Sequence, residues 1–197
     1  MKKVTDITDL KGTEYWHIAD FVDTPLEKLL ELPSVDYPEY TAFGKPHHYR
    51  RSVSFFSDEV VNHKYSKGIV DSHPLSDYPI LVELLEKVCA ATGTKFNGIL
   101  YNKYNSGEDC IGPHSDTEEN LDTTGNRLIC GLSFGAVRLF RIRDKNTGKR
   151  VLDHHLQHGT LIGMQGRFQD MYKHEIPVQK TVKGVRVSLT FRQHKTF

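Results

Sequence analysis

A histidine and an aspartate stand two residues apart in the segment His114-Ser115-Asp116. On an extended chain, residues at this spacing point to the same side, so that both side chains can reach one metal ion. Two histidines and one carboxylate on one face of an iron ion leave positions open for other ligands. Because the same short pattern also occurs where a surface histidine precedes a turn, the hypothesis of an iron site depends on a third ligand.

The third ligand must come from the other histidines among the 11 in the chain. His174 lies in a strand-like run late in the chain. Since early and late strands of a closed sheet can face each other across its mouth, we predict that His174 completes the metal site. His154 and His155 flank a predicted turn, and we expect them to face solvent.

A second candidate site lies near the end of the chain, where polar and apolar residues alternate. Period-2 alternation places four polar side chains on one face of a strand: Arg186, Ser188, Thr190 and Arg192. Inward-facing arginines would be costly without an anion, and a dicarboxylate could pair with them bidentately. The alternative is an edge strand with a polar outer face.

Asn102 and Tyr104 share one face of an earlier predicted strand, shortly before His114. Their amide and phenol groups both suit carboxylate oxygens. The alternative is a pair of half-buried polar residues on an amphipathic strand.

Two helices and a series of strands would have to position these residues. Residues 24–32 predict a short helix with Thr24 as N-cap and Pro25 at its first position. Residues 80–89 predict a second helix, and 145–149 predict a hairpin turn. Strands are expected at 96–104, 128–132, 137–142, 161–164, 172–176 and 185–192. Helices followed by short strands indicate a helix-backed barrel or jelly roll.

Length and composition exclude several classes of protein. The 197 residues, 38% hydrophobic, suit one folded domain rather than a disordered chain. We find no apolar run long enough to span a membrane and no signal peptide, and the three cysteines indicate a reducing compartment. Residues 126–197 hold 14 Lys and Arg against 4 Asp and Glu, which could face a polyanion or could balance acidic residues elsewhere in the fold.

In order along the chain, these motifs resemble the AlkB-like 2-oxoglutarate- and Fe(II)-dependent dioxygenases from about Arg51 to Arg192. The matching segments are Asn-x-Tyr at 102–104, Ile-Gly-x-His-x-Asp at 111–116, Leu-Ser-Phe-Gly-Ala at 132–136, Arg138, Phe140, His-Gly-Thr-Leu at 158–161, Met-Gln-Gly at 164–166, Gln169, His-Glu-Ile-Pro at 174–177 and Arg-x-Ser-x-Thr-Phe-Arg at 186–192. One departure is Ser188, where the family usually has asparagine.

The resemblance implies an α+β, mainly β fold, a double-stranded β-helix (jelly roll) backed by N-terminal helices. It implies Fe(II) held by His114, Asp116 and His174. It also implies the co-substrate 2-oxoglutarate, consumed with O₂ and held by five residues: Asn102, Tyr104, Arg186, Ser188 and Arg192. By analogy, Arg186 binds the distal carboxylate and Arg192 lies near the end that meets the metal.

Residues 50–68 resemble the substrate lid of this family. The resemblance implies substrate contacts from Arg51, Phe56, His63 and Tyr65, and a base-edge contact from Glu118, four residues after the first histidine ligand. Ordinary core packing remains the alternative for Phe56 and Tyr65, and a solvated acidic loop remains the alternative for Glu118.

The chain is therefore expected to form one AlkB-like domain over 1–197, with an N-terminal helical extension at 1–45, the lid at 50–68 and the catalytic jelly roll at 96–192. The expected activity is oxidative demethylation of bases such as 1-methyladenine and 3-methylcytosine, with release of formaldehyde, succinate and CO₂. The alternatives are an oxygenase of the same fold acting on a protein side chain or metabolite, and a non-catalytic nucleic-acid-binding module. We expect a monomer inside the cell, in the cytoplasm or in the nucleus or nucleoid, that binds no membrane and is not secreted.

Overall fold

Two β-sheets carry most of the predicted site residues, and the described part of the chain also contains three α-helices. The computed structural model describes residues 5–10, 13–42, 44–58, 64–65, 68–69, 72–122, 124 and 127–195. The strands are β1 (Thr5–Leu10), β2 (Thr13–Ile18), β3 (Glu39–Ala42), β4 (Lys45–His48), β5 (Ser52–Phe56), β6 (Lys64–Tyr65), β7 (Gly68–Ile69), β8 (Ser72–His73), β9 (Gly98–Tyr104), β10 (Ile111–His114), β11 (Ile129–Gly135), β12 (Arg138–Asp144), β13 (Arg150–Leu156), β14 (Thr160–Gln165), β15 (Tyr172–Ile176) and β16 (Arg186–Arg192). The helices are α1 (Leu26–Leu30), α2 (Pro79–Thr92) and α3 (Phe168–Met171), and a 3₁₀ turn spans Leu75–Asp77.

The larger sheet has eight strands in the order β1-β2-β14-β11-β16-β9-β5-β8, and the smaller has four in the order β10-β15-β12-β13. Strands β3 and β4 form a separate hairpin, as do β6 and β7. The strand pairs are antiparallel except β5 with β8, which is parallel. None of the helices within the described part of the chain is both long and apolar enough to cross a membrane.

The core has two layers, one on each face of the larger sheet. Leu29 of α1 and Leu84 of α2 pack with Leu132 and Leu189 on the outer face. Between the two sheets, side chains such as Ile162 pack against residues of the smaller sheet. This arrangement confirms the predicted jelly roll backed by helices.

Most of the predicted elements are present, with shifted ends. Helix α2 ends as expected at Gly93, which adopts a left-handed conformation with φ of 69°. Helix α1 is shorter than predicted, and the N-cap assignment to Thr24 is wrong. Pro25 occupies the cap position with an extended ψ of 134°, and no side chain caps this helix.

The N-terminal segment differs most from expectation, because it adds strands to the jelly roll as well as a helix. Strand β2 pairs along its length with β14 in the larger sheet. The indole ring of Trp16 lies against Gly163, where a Cβ atom would stand 2.1 Å from the ring. Because Tyr15 and Ile18 are buried and Trp16 is half-buried, β2 lacks the polar–apolar alternation that predicts a strand.

The predicted hairpin turn connects β12 and β13. The Oδ1 atom of Asp144 accepts hydrogen bonds from the backbone N–H groups of Asn146 and Thr147. Gly148 closes the turn with φ of 68°, a conformation that favours glycine. His154 and His155 lie on β13 rather than beside the turn, and the expectation that both face solvent holds only for His155. His154 is half-buried, with its Nδ1 atom 2.7 Å from the Tyr15 hydroxyl.

Arg138, the first residue of β12, connects the loop between β9 and β10 to the loop between β15 and β16 through hydrogen bonds. Its side chain is fully buried. The guanidinium donates hydrogen bonds to the carbonyl oxygens of Ser106, Asp109 and Pro177 and to the side chain of Gln179. Hydrogen bonds to charged groups contribute more to folding stability than bonds between neutral groups. A buried carbonyl group that has no donor lowers that stability.

We therefore expect Arg138→Leu to lower the free energy of unfolding by roughly 3 kcal/mol or more, because the buried carbonyl groups lose their donors. Chemical denaturation followed by circular dichroism measures this change. Arg150→Leu is the control, since its side chain is 64% exposed and its ion pair lies on the surface. Equal unfolding midpoints for the two variants would contradict a structural role for Arg138.

Candidate active site

Three potential metal ligands converge at one end of the smaller sheet. Each of His114, Asp116 and His174 offers a ligand atom, and these atoms all lie within 4.8 Å of one another. His114 on β10 and His174 on β15 are partners in register across two neighbouring strands. The structure therefore brings together the three residues predicted from the sequence, but on two neighbouring strands and the loop that follows β10 rather than across the mouth of a barrel.

The charge states of this cluster suit a divalent cation. Burial lowers the pKa of His174 to about 3 and lowers the pKa of His114, so that both imidazoles are neutral near pH 7. Burial opposes ionisation of Asp116, but the guanidinium of Arg192, 3.0 Å away, holds the pKa of this carboxyl below its usual range. Metal ligands must be in these states, and two imidazoles with one carboxylate are a donor set that Fe(II) accepts.

Neighbouring groups fix the orientation of each ligand. The Nδ1 atom of His114 lies 2.9 Å from the carbonyl oxygen of Gly112, which directs Nε2 towards the other two ligands. The side-chain oxygen of Gln169 accepts the backbone N–H of Asp116 at 3.0 Å. Sequence reasoning assigned no role to Gln169, although this residue belongs to the motif series that carries the family resemblance.

A cavity lined by both polar and apolar side chains extends from the ligand cluster between the two sheets. Strand β16 turns Arg186, Ser188, Thr190 and Arg192 into this cavity, as the alternation predicted. The alternative of an edge strand is wrong, because β16 lies between β11 and β9 in the larger sheet. Asn102 and Tyr104 on β9 line the same cavity, opposite Ser188 and Arg186 in register.

Arg186 is the feature of this cavity that most requires a ligand. Its side chain is fully buried, and its Nε atom donates to the hydroxyl of Ser133 at 2.9 Å. The guanidinium lies 5.3 Å from the ring centroid of Tyr104. Burial lowers the pKa of Arg186 to about 10, so the group remains charged at neutral pH. Its Nη1 atom is buried with no hydrogen-bond partner among the described residues, which fits an incoming carboxylate.

The residues predicted to contact substrate lie in different environments in the structure. Phe56 is fully buried in the core with its ring against Tyr78, so the interpretation as a lid contact is wrong. Arg51 is buried as well, and its Nε atom donates to the side-chain oxygen of Asn102 at 2.6 Å. His63 and the side chain of Tyr65 lie outside the described residues.

The carboxylate of Glu118 is largely shielded from solvent and is hydrogen-bonded. Its Oε1 atom accepts a hydrogen bond from Nη1 of Arg192 at 2.5 Å. Its Oε2 atom is buried and has no hydrogen-bond partner in the part of the chain that is described. The alternative of an idle, solvated acidic loop is therefore wrong for this residue, and one carboxylate oxygen remains available as an acceptor.

Comparison with known proteins identifies the class to which this fold and site belong. The model of the 2OG-Fe(II) oxygenase superfamily matches residues 21–192. The chain belongs to this superfamily, and its donor cluster and arginine-lined cavity are those of a 2-oxoglutarate-dependent dioxygenase that uses Fe(II) and O₂.

Within the superfamily, the chain is AlkB-like. It is 33% identical over 182 residues to DNA oxidative demethylase ALKBH2 of Mus musculus, covering 89% of this chain and 74% of that protein. It is 33% identical over 136 residues to alpha-ketoglutarate-dependent dioxygenase alkB homolog 3 of Bos taurus, covering 65% and 46%. The solved structure of OsALKBH1 shares the fold with a TM-score of 0.57 at 16% identity, covering 96% of this chain and 100% of that one.

Proposed function

We propose that this enzyme oxidatively demethylates alkylated nucleic-acid bases of the 1-methyladenine and 3-methylcytosine type, releasing formaldehyde, succinate and CO₂. The observation that carries the proposal is the His114, Asp116 and His174 cluster beside a cavity that ends at the buried guanidinium of Arg186. The substrate class is supported by the mouse relative, which is named a DNA oxidative demethylase.

In this proposal the three clustered residues hold Fe(II). When bound, the iron with 2-oxoglutarate and O₂ supplies the oxidant that hydroxylates the N-methyl carbon of the base. The chain contributes two neutral imidazoles and one carboxylate, and the guanidinium of Arg192 keeps that carboxylate ionised.

The arginine-lined cavity holds the co-substrate. Arg186 binds the distal carboxylate with the fork geometry of its guanidinium, beside the hydroxyls of Tyr104 and Ser188. Asn102 lines the same cavity and is fixed by its hydrogen bond from Arg51. Arg192 lies at the metal end, where it contacts Asp116.

The target base is proposed to lie between Tyr65 of the lid and the ring of His114, with His63 and Arg51 nearby. Alkylation at N1 of adenine or N3 of cytosine makes the base cationic. The free Oε2 atom of Glu118 would accept a hydrogen bond from the exocyclic amino group of such a base. The negative charge of the carboxylate would also attract the positive charge of the base.

Mass spectrometry of oligonucleotides that carry one 1-methyladenine or 3-methylcytosine tests this function directly. Incubation with the enzyme, Fe(II), 2-oxoglutarate and O₂ should restore the mass of the unmethylated strand and release formaldehyde. Reactions without 2-oxoglutarate are the control. If methylated peptides or free amino acids supported succinate formation while the oligonucleotides did not, the substrate class would be wrong.

Glu118→Ala should lower the turnover of 1-methyladenine at least tenfold while reducing decarboxylation of 2-oxoglutarate without substrate much less. The reason is that the variant loses the acceptor for the base but keeps all three iron ligands. Wild-type enzyme should also repair the two cationic bases faster than neutral 1-methylguanine or 3-methylthymine. Kinetics on four single-lesion oligonucleotides measure both effects. If the rates on all four were equal and Glu118→Ala did not change them, Glu118 would have no role in base recognition.

We further propose that the enzyme works as a monomer inside the cell. Cys89, Cys110 and Cys130 are all free thiols in the structure, which suits a reducing compartment. Cell fractionation and light scattering of the purified protein test these two points, and recovery from the medium or a stable dimer would contradict them.

A further inference from the structure

A chain of aromatic rings leads from one of the three clustered ligands to a tyrosine that has no role in the proposed function. The ring of Phe140 stacks on His174 at 5.3 Å and on Tyr15 at 6.0 Å. Phe168 makes a second connection, because its ring lies 6.3 Å from His174 and 6.1 Å from Tyr15. Ring centroids about 4.5–7 Å apart are those of aromatic side chains in contact. Tyr15 is therefore connected to the ligand cluster by two paths, each with one intervening ring.

The hydroxyl of Tyr15 meets a base. Tyr15 is 2% exposed, and its oxygen lies 2.7 Å from Nδ1 of His154 on β13. Burial raises the pKa of Tyr15, so the phenol keeps its proton near pH 7 and can donate it to an unprotonated Nδ1. His154 is half-buried, and its ring lies 4.7 Å from that of His17, which is half-buried as well. The path from His174 therefore ends at two histidines that are partly exposed to solvent.

A second buried tyrosine shows that burial alone does not require such a base. The hydroxyl of Tyr101, on β9, donates a hydrogen bond to the carbonyl oxygen of Leu29 at 3.2 Å. A carbonyl oxygen satisfies a buried hydroxyl but does not take up its proton, whereas an imidazole can do both. The contact of Tyr15 with His154 therefore permits proton transfer, and the contact of Tyr101 with Leu29 does not.

Proton transfer matters because it allows Tyr15 to lose an electron. A phenol that loses an electron becomes a strong acid. If the proton stayed on the oxygen, a positive charge would remain in the apolar core between the sheets, where an unpaired charge is costly. If the proton moves to His154, the phenol oxygen becomes a neutral radical and the positive charge lies on a partly exposed ring.

The chemistry of the enzyme class provides a reason for this electron transfer. The reaction of 2-oxoglutarate with O₂ at the iron site generates an oxidant. Without a substrate, the oxidant meets the side chains that line the inner cavity, among them Met164, whose thioether is readily oxidised to the sulfoxide. Phe140 lines the same cavity and contacts Tyr15, so its ring connects the cavity to the tyrosine.

We propose that Tyr15 and His154 form a redox pair that protects the enzyme when 2-oxoglutarate reacts without a substrate. The O–H bond of Tyr15 breaks, its electron passes through the ring of Phe140 or Phe168 to the oxidant at the iron site, and its proton forms an N–H bond at Nδ1 of His154. A thiol or ascorbate in solution then returns one electron to the phenoxyl radical, and His154 returns the proton. Each cycle delivers one electron, and the protons that the oxidant takes up come from water. This inference depends on the enzyme class and not on the nucleic-acid substrate.

Freeze-quench electron paramagnetic resonance tests the pair in enzyme incubated with Fe(II), 2-oxoglutarate and O₂ but no nucleic acid. Wild-type enzyme should show a tyrosyl radical, whose spectrum narrows when the protein contains ring-deuterated tyrosine. Tyr15→Phe keeps the stacked ring and loses the O–H group, so it should lose most of this signal while the initial rate of succinate formation stays unchanged. No tyrosyl signal in wild-type enzyme, or an equal signal in Tyr15→Phe, overturns the proposal.

Tyr101→Phe is the matched control, because it also removes one buried hydroxyl and keeps the ring. It should retain the wild-type signal and a thermal melting point close to that of Tyr15→Phe. If the signal disappeared in both variants, the radical would not be specific to Tyr15 and the proposal would be wrong.

His154→Leu tests the proton acceptor separately from the tyrosine. This variant should also lose most of the radical, because the proton of Tyr15 has no base to accept it. His155→Leu, at an exposed position on the same strand, is its control and should keep the signal. In wild-type enzyme, the radical should couple to one exchangeable proton, now on Nδ1 of His154, and this coupling should vanish in D₂O. A full radical signal in His154→Leu would overturn the assignment of the pair.

Protection of the enzyme is measured by mass spectrometry of the protein after incubation without substrate. Tyr15→Phe should accumulate oxidised cavity residues, with Met164 among them, several-fold faster than wild-type enzyme. Equal oxidation of the two proteins would show that the pair protects nothing, and the proposal would be wrong. No nucleic acid enters these assays, so a failure of the proposed demethylation would leave their outcome unchanged, and a failure here would leave the proposed demethylation standing.

Discussion

Replacing His174 by alanine should reduce iron-dependent succinate formation at least 100-fold while the protein still folds. The variant loses one of three ligands, and even groups that only support metal ligands commonly cost 10- to 100-fold when they are removed. His174 is buried beside the ring of Phe140 at 5.3 Å, so the substitution also leaves a small cavity in the smaller sheet. Circular dichroism and Fe(II) binding, measured on the same preparation, separate loss of metal from loss of fold.

His155→Ala is the matched control for this experiment. His155 is exposed on β13, and its loss should leave turnover unchanged. His154 is less suitable, because its ring contacts both Tyr15 and His17. His158 is the informative competitor as third ligand, although its Nδ1 atom already accepts the backbone N–H of Gly135. Activity that survived His174→Ala and disappeared in His158→Ala would show that the ligand set is wrongly assigned.

Arg186→Leu should raise the KM for 2-oxoglutarate by about 100-fold or more. Removing one partner of a buried charge pair costs about 3–5 kcal/mol, and each 1.4 kcal/mol is a factor of ten. Arg186→Lys should restore little of the loss, because an ammonium group cannot reproduce a two-pronged contact with a carboxylate. Steady-state kinetics with varied 2-oxoglutarate, supported by calorimetric binding, measure the change.

The control is Arg167→Leu, which removes an exposed arginine near α3 and should leave this KM unchanged. A thermal melt of Arg186→Leu is also needed, because Arg186 donates to Ser133 within the larger sheet. A well-folded Arg186→Leu with the wild-type KM would place the distal carboxylate elsewhere.

Local patterns predicted the parts of the site that depend on spacing along one strand. The two-residue period placed Arg186 and Ser188 on one face, and the His-x-Asp spacing brought His114 and Asp116 together. The partner strands were harder to predict, because β10 and β15 pair across some sixty residues and pairing at that separation leaves no local signal. Strand β10 contains Gly112 and a proline, which are typical of turns.

Other errors arose where tertiary contacts decide the role of a side chain. Phe56 is an aromatic residue within a lid-like segment, but all of β5 is buried, so its alternation carries no information about which face meets substrate. Glu118 lies in an acidic run that suggests solvent, but it pairs with Arg192 from the far end of the chain. Both outcomes depend on residues distant in sequence.

The pairing of β2 with β14 affects how the chain can be shortened. A version that begins at Phe21, where the family match begins, would leave the backbone N–H and C=O groups of β14 without the partners that β2 provides. It would also uncover Leu161 and Met164, which are buried in the full chain. Unpaired strands with apolar side chains associate with one another, so the shortened protein should self-associate even though every proposed iron and co-substrate residue is retained.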